Sequence, residues 1–425
     1  MTALFFEPGR AFAQSLDSND PLKSFRDEFI ISDPSLIYMD GNSLGRLPRR
    51  AIDRVNDVVN KEWGERLIRS WGEGWFSAPQ RIGEKIGQLV GAAPGQVVVS
   101  DSTSVDLFKA VMAALDLLPE RFKIVTDSFN FPSDLYVLQG CASLLNGKHI
   151  IQVVPSEDTI TPDLPALYDA IDESTALVTL SHVGFKSGYL YDAAEITRRA
   201  HQAGALVLWD LSHSAGALPV SLDEWQADLA VGCTYKYLNG GPGAPAYIYV
   251  RRSLQEHMRS PIWGWFGDQR PFAFDLDYLP DAGIKRFQCG TPPILSLLAI
   301  EPGLDLLLEA GIHRLREKSM ALSSYLIALF DTTLAPLGFV LGSPRQLEQR
   351  GSHVSIRHPE GYRINRALIE DLGVLPDFRE PDNIRLGLAP LYTSYEDIYE
   401  TIERIRSAVA GKLYLKYPAI RQKVT

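Results

Sequence analysis

One lysine lies between two tyrosines, directly before a glycine-rich turn, in the segment Val231-Gly-Cys-Thr-Tyr-Lys-Tyr-Leu-Asn-Gly-Gly-Pro-Gly243. Upstream, the run Ala205-Leu-Val-Leu-Trp-Asp-Leu-Ser-His213 predicts a buried strand that carries Asp210 and His213 to its carboxyl end. A lysine amine forms an imine with the aldehyde of pyridoxal phosphate, and a carboxylate keeps the pyridine nitrogen of that cofactor protonated. Lys236 and Asp210 therefore predict a pyridoxal phosphate site.

Both residues also have a simpler interpretation. Most lysines are solvated surface charges, but Lys236 follows an apolar run and enters a tight turn, where functional groups are often held. Asp210 ends a strand that is too apolar to leave a carboxylate there without a partner, because burial of an unpaired charge is strongly unfavourable. A structural salt bridge is the alternative to a cofactor site at these positions.

Length and composition indicate an ordinary globular protein. The 425 residues are 45% hydrophobic and 22% charged, which is enough to bury a large core and predicts two domains. The formal net charge of −10, from 42 basic and 52 acidic residues, argues against a nucleic-acid partner.

The three cysteines, Cys141, Cys233 and Cys289, are far apart and form no C-x-x-C pair. Their odd number and wide spacing favour a reducing compartment and no metal site. The N-terminus has an acidic residue early and no long apolar core, which argues against a secretory signal, and no apolar run approaches the ~18 residues of a membrane span. We therefore expect a cytoplasmic protein with no membrane partner.

Short apolar runs rich in β-branched residues alternate with helical or loop segments through the middle of the chain. This alternation predicts an α/β fold with a mostly parallel central sheet and helices on both faces. Near residue 300 the pattern changes: one long helix is predicted over residues 294–310 and another over 312–330, followed by strand patterns over 352–356 and 383–387. These elements predict a smaller α+β domain. The expected division is an N-terminal arm over residues 1–47, counted with the small domain, a large cofactor-binding domain over residues 48–300, and the small C-terminal domain over residues 301–425. The seven runs in the middle of the chain cover residues 96–100, 123–126, 149–154, 176–180, 205–209, 229–232 and 246–250.

Two further segments follow predicted strands, where open α/β sheets place their ligands. Ser100-Asp-Ser-Thr-Ser-Val-Asp-Leu-Phe108 opens a helix with hydroxyls and free backbone N–H groups, an arrangement that suits a phosphate. Phe131-Pro-Ser-Asp134 carries an aromatic ring that can stack on a planar cofactor. Ordinary helix capping or a plain turn is the alternative for each segment.

Taken together and in this order, eight motifs resemble the kynureninase family, in its bacterial form, from about residue 36 to the C-terminus. They are Asp40-Gly-Asn-Ser-Leu-Gly45, Ile68-Arg-Ser-Trp71, Phe131-Pro-Ser-Asp134, Trp209-Asp-Leu-Ser-His-Ser-Ala-Gly216, Cys233-Thr-Tyr-Lys-Tyr-Leu-Asn-Gly-Gly-Pro-Gly243, Gly264-Trp-Phe-Gly267, Arg350-Gly-Ser-His-Val-Ser355 and Arg385-Leu-Gly-Leu-Ala-Pro-Leu-Tyr392. The resemblance implies a fold-type I pyridoxal phosphate enzyme that forms homodimers with the active site at the subunit interface.

The resemblance also implies roles for individual residues. Lys236 would bind the cofactor, Asp210 would pair with its ring nitrogen, and Phe131 would stack on the ring. Arg385 would hold the substrate α-carboxylate, for which a bidentate guanidinium is suited. The remaining cofactor contacts would be Thr103, Ser104, Pro132, Ser133, Asp134, Ser181, His213 and Tyr235, with Trp265 and Thr291 reaching in from the partner subunit. Asn42, Ser43 and Trp71 would border the aromatic end of the substrate.

The implied reaction is hydrolysis of the Cβ–Cγ bond of L-kynurenine to anthranilate and L-alanine, in tryptophan degradation and the kynurenine pathway that serves NAD biosynthesis. Tyr235, next to the lysine, is the hypothesis for the group that protonates the alanine fragment. In this family an aromatic residue at the position of Trp71, together with Gly290 and Thr291, favours L-kynurenine over its 3-hydroxy derivative, which we also expect to be a substrate.

Other functions remain open from the sequence. A cysteine desulfurase or selenocysteine lyase-like enzyme, or a small-substrate aminotransferase, would use the same fold; the first needs a mobile nucleophilic cysteine in a late loop. A NAD dehydrogenase would need an early G-x-G-x-x-G, which Gly240-Gly-Pro-Gly243 does not supply. A non-catalytic binding protein is the alternative if Lys236 carries no cofactor.

Overall fold

The computed structural model describes residues 6–7 and 9–419. Helices and strands alternate through the middle of the chain, as predicted. The described helices are α1 (Arg10–Ser18), α2 (Arg49–Asp57), α3 (Ala78–Val90), α4 (Thr103–Leu117), α5 (Pro132–Leu144), α6 (Leu164–Asp169), α7 (Ala193–Gln202), α8 (Arg252–Gln255), α9 (Ile294–Leu298), α10 (Glu301–Ala310), α11 (Ile312–Leu329), α12 (Gly361–Asp371) and α13 (Tyr395–Ala410). The strands are β1 (Ile37–Tyr38), β2 (Val97–Ser100), β3 (Lys123–Asp127), β4 (Ile150–Val154), β5 (Thr175–Ser181), β6 (Leu206–Asp210), β7 (Leu229–Gly232), β8 (Ala246–Val250), β9 (Val340–Leu341), β10 (His353–Arg357), β11 (Val374–Leu375), β12 (Asp377–Arg379) and β13 (Asn383–Gly387).

The central sheet has seven strands in the order β2-β8-β7-β6-β5-β3-β4. Strands β3 to β7 run parallel to one another, and β8 is antiparallel to both β2 and β7 beside it. Along β6, Val207 and Trp209 pack in the core on one face, whereas Leu206 and Leu208 pack in the core on the other. Burial on both faces explains why these strands read as continuous apolar runs. The predicted α/β class with a mostly parallel sheet is confirmed, and each of the seven predicted strands is present to within about two residues.

A smaller antiparallel sheet, in the order β12-β13-β10-β9, lies in the C-terminal part of the chain. Its buried face shares a hydrophobic cluster with α11, α12, α13 and Ala13 of α1. The N-terminal arm joins this region a second time through β1, which pairs with β11 in parallel. Helix α10 instead packs on α2 and α3. The division at residues 47 and 300 stays a prediction.

The sequence pattern over 294–310 suggested one long helix, but the structure contains two. Helix α9 ends at Leu298 and α10 begins at Glu301 with Pro302 in its first turn. Proline has no N–H to continue the hydrogen bonds of a preceding helix and is favoured in a first turn, which explains the break.

The stretch Ile312–Leu337, which begins with α11, is long and apolar enough to cross a membrane by length and composition alone. Composition had suggested no such run. In the structure Leu322, Leu326 and Phe330 of this stretch are buried in the cluster beneath the small sheet. Packing in the protein core accounts for these apolar side chains.

Candidate active site

A cavity of about 300 Å³ lies where the carboxyl ends of β5, β6 and β7 face the small sheet. It brings together twelve of the residues that the sequence had predicted for the site, although they come from positions 42 to 385 of the chain. Its lining residues are Asn42, Ser43, Thr103, Ser104, Phe131, Ser133, Asp134, Asp210, Ser212, His213, Tyr235, Lys236, Arg379 and Arg385.

A larger cavity of about 600 Å³ lies between α1 and the start of α13 and shares no lining residue with the smaller one. Its buried charges are paired with one another: Lys318 Nζ lies 2.6 Å from Asp20, and Arg26 donates to Asp397. Paired charges of this kind stabilise the contact of the arm with α11 and α13. Burial raises the pKa of Asp17 in this cavity, but its carboxylate is engaged by the backbone N–H groups of Tyr395 and Glu396 at the start of α13. The chemistry is therefore sought in the smaller cavity.

Lys236 projects into the cavity from the segment between β7 and β8. Its Nζ lies 3.3 Å from His213 Nε2 and 5.8 Å from the centre of the Phe131 ring. Burial and the nearby lysine charge lower the pKa of His213 well below its usual range, so the imidazole is neutral at neutral pH. A neutral imidazole can accept a hydrogen bond from the lysine ammonium. The lysine–aspartate salt bridge considered as the structural alternative is thus not the contact formed by Lys236.

Two buried carboxyl groups, Asp134 and Asp210, lie together beside the lysine. Burial, followed by the Asp210 charge, raises the pKa of Asp134 well above its usual range. The Asp210 carboxylate accepts the backbone N–H of Ser212 at 2.8 Å, which fixes its orientation. Like charges placed this close disfavour each other unless a cation joins them. The pair therefore suits a cationic group such as the protonated ring nitrogen of pyridoxal phosphate.

The cavity also has hydroxyl groups at the starts of α4 and α5. Ser104 Oγ and Ser133 Oγ lie 3.2 Å apart, and Thr103 is the first residue of α4. Neither Ser102 at the N-cap of α4 nor Phe131 at the N-cap of α5 makes a side-chain capping bond. Ordinary capping, the alternative interpretation of these segments, does not explain their hydroxyls. A phosphate fits here because backbone N–H groups and the helix dipole favour an anion at a helix N-terminus.

Asn42 reaches the cavity from the N-terminal segment and is fully buried. Both its amide nitrogen and its amide oxygen are without a hydrogen-bond partner among the described residues. A Cβ on Gly387 would lie 1.9 Å from Asn42 Oδ1, so only glycine lets the side chain take this place. Because an unpaired buried amide is unfavourable, Asn42 is suited to a polar ligand group.

Arg385 on β13 is 1% exposed and enters the cavity beside Ser43. Its Nη2 donates to Ser43 Oγ at 3.0 Å, and its Nη1 donates to the Phe185 carbonyl at 2.6 Å. Asp377 accepts from Nε at 2.8 Å. The guanidinium is thereby held in one orientation at the cavity wall, as a carboxylate-binding arginine requires.

Five predicted residues do not line this cavity. Ser181 is paired with Asp210 across β5 and β6 and donates to Asn130 at 2.8 Å, and Pro132 is the first residue of α5. The other three lie in separate surface cavities: Trp71 with Phe272, Trp265 with Trp263, and Thr291 with Cys289. Their predicted roles stay predictions.

Two lining residues, Ser212 and Arg379, were missed by the sequence analysis. Ser212 stands between Asp210 and His213, and that position alone was a usable signal. Arg379 is recognised only through the small sheet: Asp377 on the same strand pairs with Arg385 across β12 and β13, and alternation along β12 turns Arg379 the same way.

The position of the cysteines bears on the desulfurase alternative. All three lie in the described part of the chain; Cys141 and Cys233 are buried, and Cys289 belongs to the cavity that contains Thr291. None of them lines the Lys236 cavity. Burial also raises the pKa of the Cys289 thiol, which makes it a poorer nucleophile at neutral pH.

Comparison with known proteins agrees with the motifs. Residues 315–405 match the family model described as the kynureninase C-terminal domain. The chain is 44% identical over 402 residues to a kynureninase from Burkholderia pseudomallei, covering 93% of this chain and 94% of that protein. It is 44% identical over 417 residues to a kynureninase from Pseudomonas fluorescens, covering 97% and 98% respectively.

Solved structures of the same fold include two cysteine desulfurases. The enzyme from Thermococcus onnurineus aligns with a TM-score of 0.76 at 18% identity, covering 96% of this chain and 99% of that one. The enzyme from Escherichia coli aligns with a TM-score of 0.77 at 17% identity, covering 93% and 98%. At this level of identity the likeness concerns the fold alone.

The Asp134–Asp210 pair predicts a stability change in the cofactor-free protein. A carboxyl group whose pKa in the folded state is raised above its unfolded value of 3.8 binds a proton on folding, so stability falls as pH rises from that value through the folded pKa. Asp134→Asn removes this loss. We expect its melting temperature at pH 7 to exceed that of the cofactor-free parent by roughly 2–4 °C, as ~1 kcal/mol gives in a domain of this size.

The difference should shrink at pH 4, where Asp134 is protonated in the folded parent. Asp275→Asn, at an exposed carboxylate paired with Arg270, is the matched control and should leave the melting temperature unchanged. Equal melting temperatures of parent and Asp134→Asn at pH 7 would contradict the inferred repulsion.

Proposed function

The chain belongs to the kynureninase family, whose members are pyridoxal phosphate enzymes that hydrolyse a carbon–carbon bond, and we propose that Lys236 is the residue that binds its cofactor. The proposed reaction at this lysine is hydrolysis of L-kynurenine to anthranilate and L-alanine. The observation that supports it most is the convergence of Lys236, the Asp134–Asp210 pair and Arg385 on one cavity.

Cofactor binding would use two groups of residues in this cavity. Asp210 and Asp134 would hold the ring nitrogen, Phe131 would cover the ring, and the hydroxyls at the starts of α4 and α5 would hold the phosphate. A buried pair of carboxylates binds a cation better than a neutral group, which favours the protonated ring. When bound, the protonated ring withdraws electrons from the substrate Cα.

Substrate binding would use the opposite wall. Arg385 is the buried cation available for the α-carboxylate, and Ser43 lies 3.0 Å from it. Asn42 has an unpaired amide for a polar group of the substrate. Trp71 would border the aromatic ring only if a second subunit completes the site, because it lies in a different cavity of this chain.

Proton transfers would be shared between Lys236 and Tyr235. The lysine amine, once released from the cofactor, is placed to move the proton at the substrate Cα, with neutral His213 beside it as hydrogen-bond acceptor. Burial, with Cys233 nearby, raises the pKa of Tyr235 above its ordinary value. Its phenol therefore keeps its proton at neutral pH and can donate it to Cβ of the alanine fragment.

A homodimer is part of the proposal. Several large apolar side chains are more than half exposed on this chain, among them Trp263, Phe272, Phe274 and Leu276 in the segment that also carries Trp265. A contiguous exposed apolar patch typically marks a protein interface. A second subunit that covers this patch would bring Trp265 and Thr291 to the neighbouring cofactor.

We also propose a cellular location and a substrate preference. A cytoplasmic location fits the three unpaired cysteines. Preference for L-kynurenine over its 3-hydroxy derivative fits the aromatic side chain of Trp71.

The reaction is tested by an absorbance spectrum of the purified protein before and after L-kynurenine, followed by product analysis. We expect an imine band that changes with substrate, and anthranilate and L-alanine in equal amounts. Lys236→Ala should show no imine band and no anthranilate, whereas Lys285→Ala, a lysine outside the cavity, should behave as the parent does. An imine band without anthranilate would move the activity to another lyase or a transferase.

The role of Tyr235 gives a second prediction. Tyr235→Phe removes the phenolic proton and keeps the ring, so kcat should fall by roughly 10²-fold or more while the cofactor absorbance stays intact. Tyr136→Phe, at a tyrosine that is 67% exposed, is the control. Unchanged turnover of Tyr235→Phe would remove this residue from the mechanism.

Shared active sites predict complementation between two inactive variants. Lys236→Ala lacks the lysine of its own site, and Trp265→Ala lacks the ring that its partner needs. A mixed dimer would contain one complete site, because the Lys236→Ala subunit still supplies Trp265 to a partner with Lys236. After denaturation and joint refolding, about a quarter of the parent activity should return. No recovery from the mixture, with each variant folded as a dimer, would argue against a site completed in this way.

A further inference from the structure

Asp377 joins the two arginines at the cavity wall. Its Oδ2 accepts from Nε of Arg385 at 2.8 Å and also from Nη2, while its Oδ1 accepts from Nη1 of Arg379 at 3.0 Å. Residues 377 and 385 are directly opposite each other in the β12–β13 pairing, which brings the carboxylate alongside the guanidinium.

The carboxylate lies behind the arginines rather than in the cavity. Arg379, Arg385 and Ser43 line the cavity, but Asp377 does not, and its side chain is 11% exposed. It therefore occupies the Nε–Nη2 edge of Arg385. On the edge formed by Nη1 and Nη2, Nη2 donates to Ser43 Oγ at 3.0 Å and Nη1 donates to the Phe185 carbonyl at 2.6 Å. A ligand carboxylate would bind this edge by taking the place of Ser43 and using the second N–H of Nη1.

This geometry points to Asp377 as a positioning residue: we propose that it holds Arg385 by one edge so that the opposite edge takes the α-carboxylate of the amino-acid substrate. The inference rests on the proposed role of Arg385. A guanidinium offers two edges to carboxylates, and a substrate bound at the wrong edge would place its Cα away from Lys236. With Asp377 on the rear edge, only the productive edge remains.

In Asp377, Oδ2 uses its two lone pairs to accept both hydrogen bonds from Arg385, and Oδ1 accepts the hydrogen bond from Arg379. Asparagine at this position can reproduce only one half of that arrangement, because its amide nitrogen is a donor and would face an arginine donor. Asp377→Asn therefore loosens Arg385 without emptying the space behind it.

The test is a titration of the cofactor-loaded protein with L-alanine and with ethylamine, followed by the change in cofactor absorbance. Ethylamine has the reacting amine but lacks the carboxylate. We expect Asp377→Asn to raise the Kd for L-alanine roughly tenfold or more and to change that for ethylamine less than about twofold, since a charge-assisted contact is lost for one ligand only. Asp377→Glu, which keeps the charge but displaces it, should give a smaller effect in the same direction and serves if the Asn variant does not fold.

Asp382→Asn is the matched control, because Asp382 pairs with Arg357 at 3.0 Å on the same sheet and does not line the cavity. An equal rise in the Kd for both ligands in Asp377→Asn would mean that Asp377 has a general structural role. Tighter binding of L-alanine would mean that Asp377 competes with the substrate. Either result overturns the inference. Arg385→Lys separates the two levels. If Arg385→Lys loses the preference for L-alanine over ethylamine while Asp377→Asn keeps that preference, only the inference fails. If Arg385→Lys also keeps the preference, the proposed role of Arg385 fails.

Discussion

Two buried carboxyl groups and one lysine at the end of a parallel sheet impose the condition on which the rest of the site depends. Asp134 and Asp210 are both almost fully buried, and burial with their mutual repulsion raises the pKa of Asp134. Two carboxylates are buried together only where a cation lies beside them, and a bound ligand can supply that cation. The parallel strands bring these groups together at one edge of the sheet. The ends of β5 and β6 place Ser181 beside Asp210, and the segment after β7 returns Lys236 to the same edge.

The sequence predicted the parts of this site that are local. Asp210 and Lys236 each stand at the end of an apolar run, and a strand that is buried on both faces makes such runs easy to recognise. Family motifs added the residues that no periodicity indicates, such as Asn42 and Arg385. The cavity contains both of these residues with the lysine.

What the sequence did not predict depends on long-range contacts. Arg379 belongs to the cavity because β12 pairs with β13, and β12 has only three residues, too few for a period to show. The break before α10 escaped prediction because its apolar spacing continues across the gap and only Pro302 marks the change. Trp71, Trp265 and Thr291 lie outside the cavity, and one chain does not contain the surface against which their roles would be judged.

The site is divided between two sheets, and two short segments, residues 39–45 and 183–190, join them. Lys236 and its carboxylates belong to the large sheet, whereas Arg385 belongs to the small one. The segment 39–45 contacts both: Gly387 N donates to the Met39 carbonyl at 2.6 Å, and Gly45 N donates to the Tyr235 carbonyl at 2.8 Å.

A Cβ on Gly45 would lie 2.4 Å from the Lys236 carbonyl oxygen, so the segment can approach the lysine backbone this closely only as glycine. The distance between Lys236 and Arg385 is therefore constrained by the backbone hydrogen bonds of this segment, together with the bond from Arg385 Nη1 to the Phe185 carbonyl. In the proposed function, a substrate held by its carboxylate at Arg385 and by its amine at the cofactor of Lys236 has to match that span, so the site would select an amino acid before any contact with the aromatic ring is made.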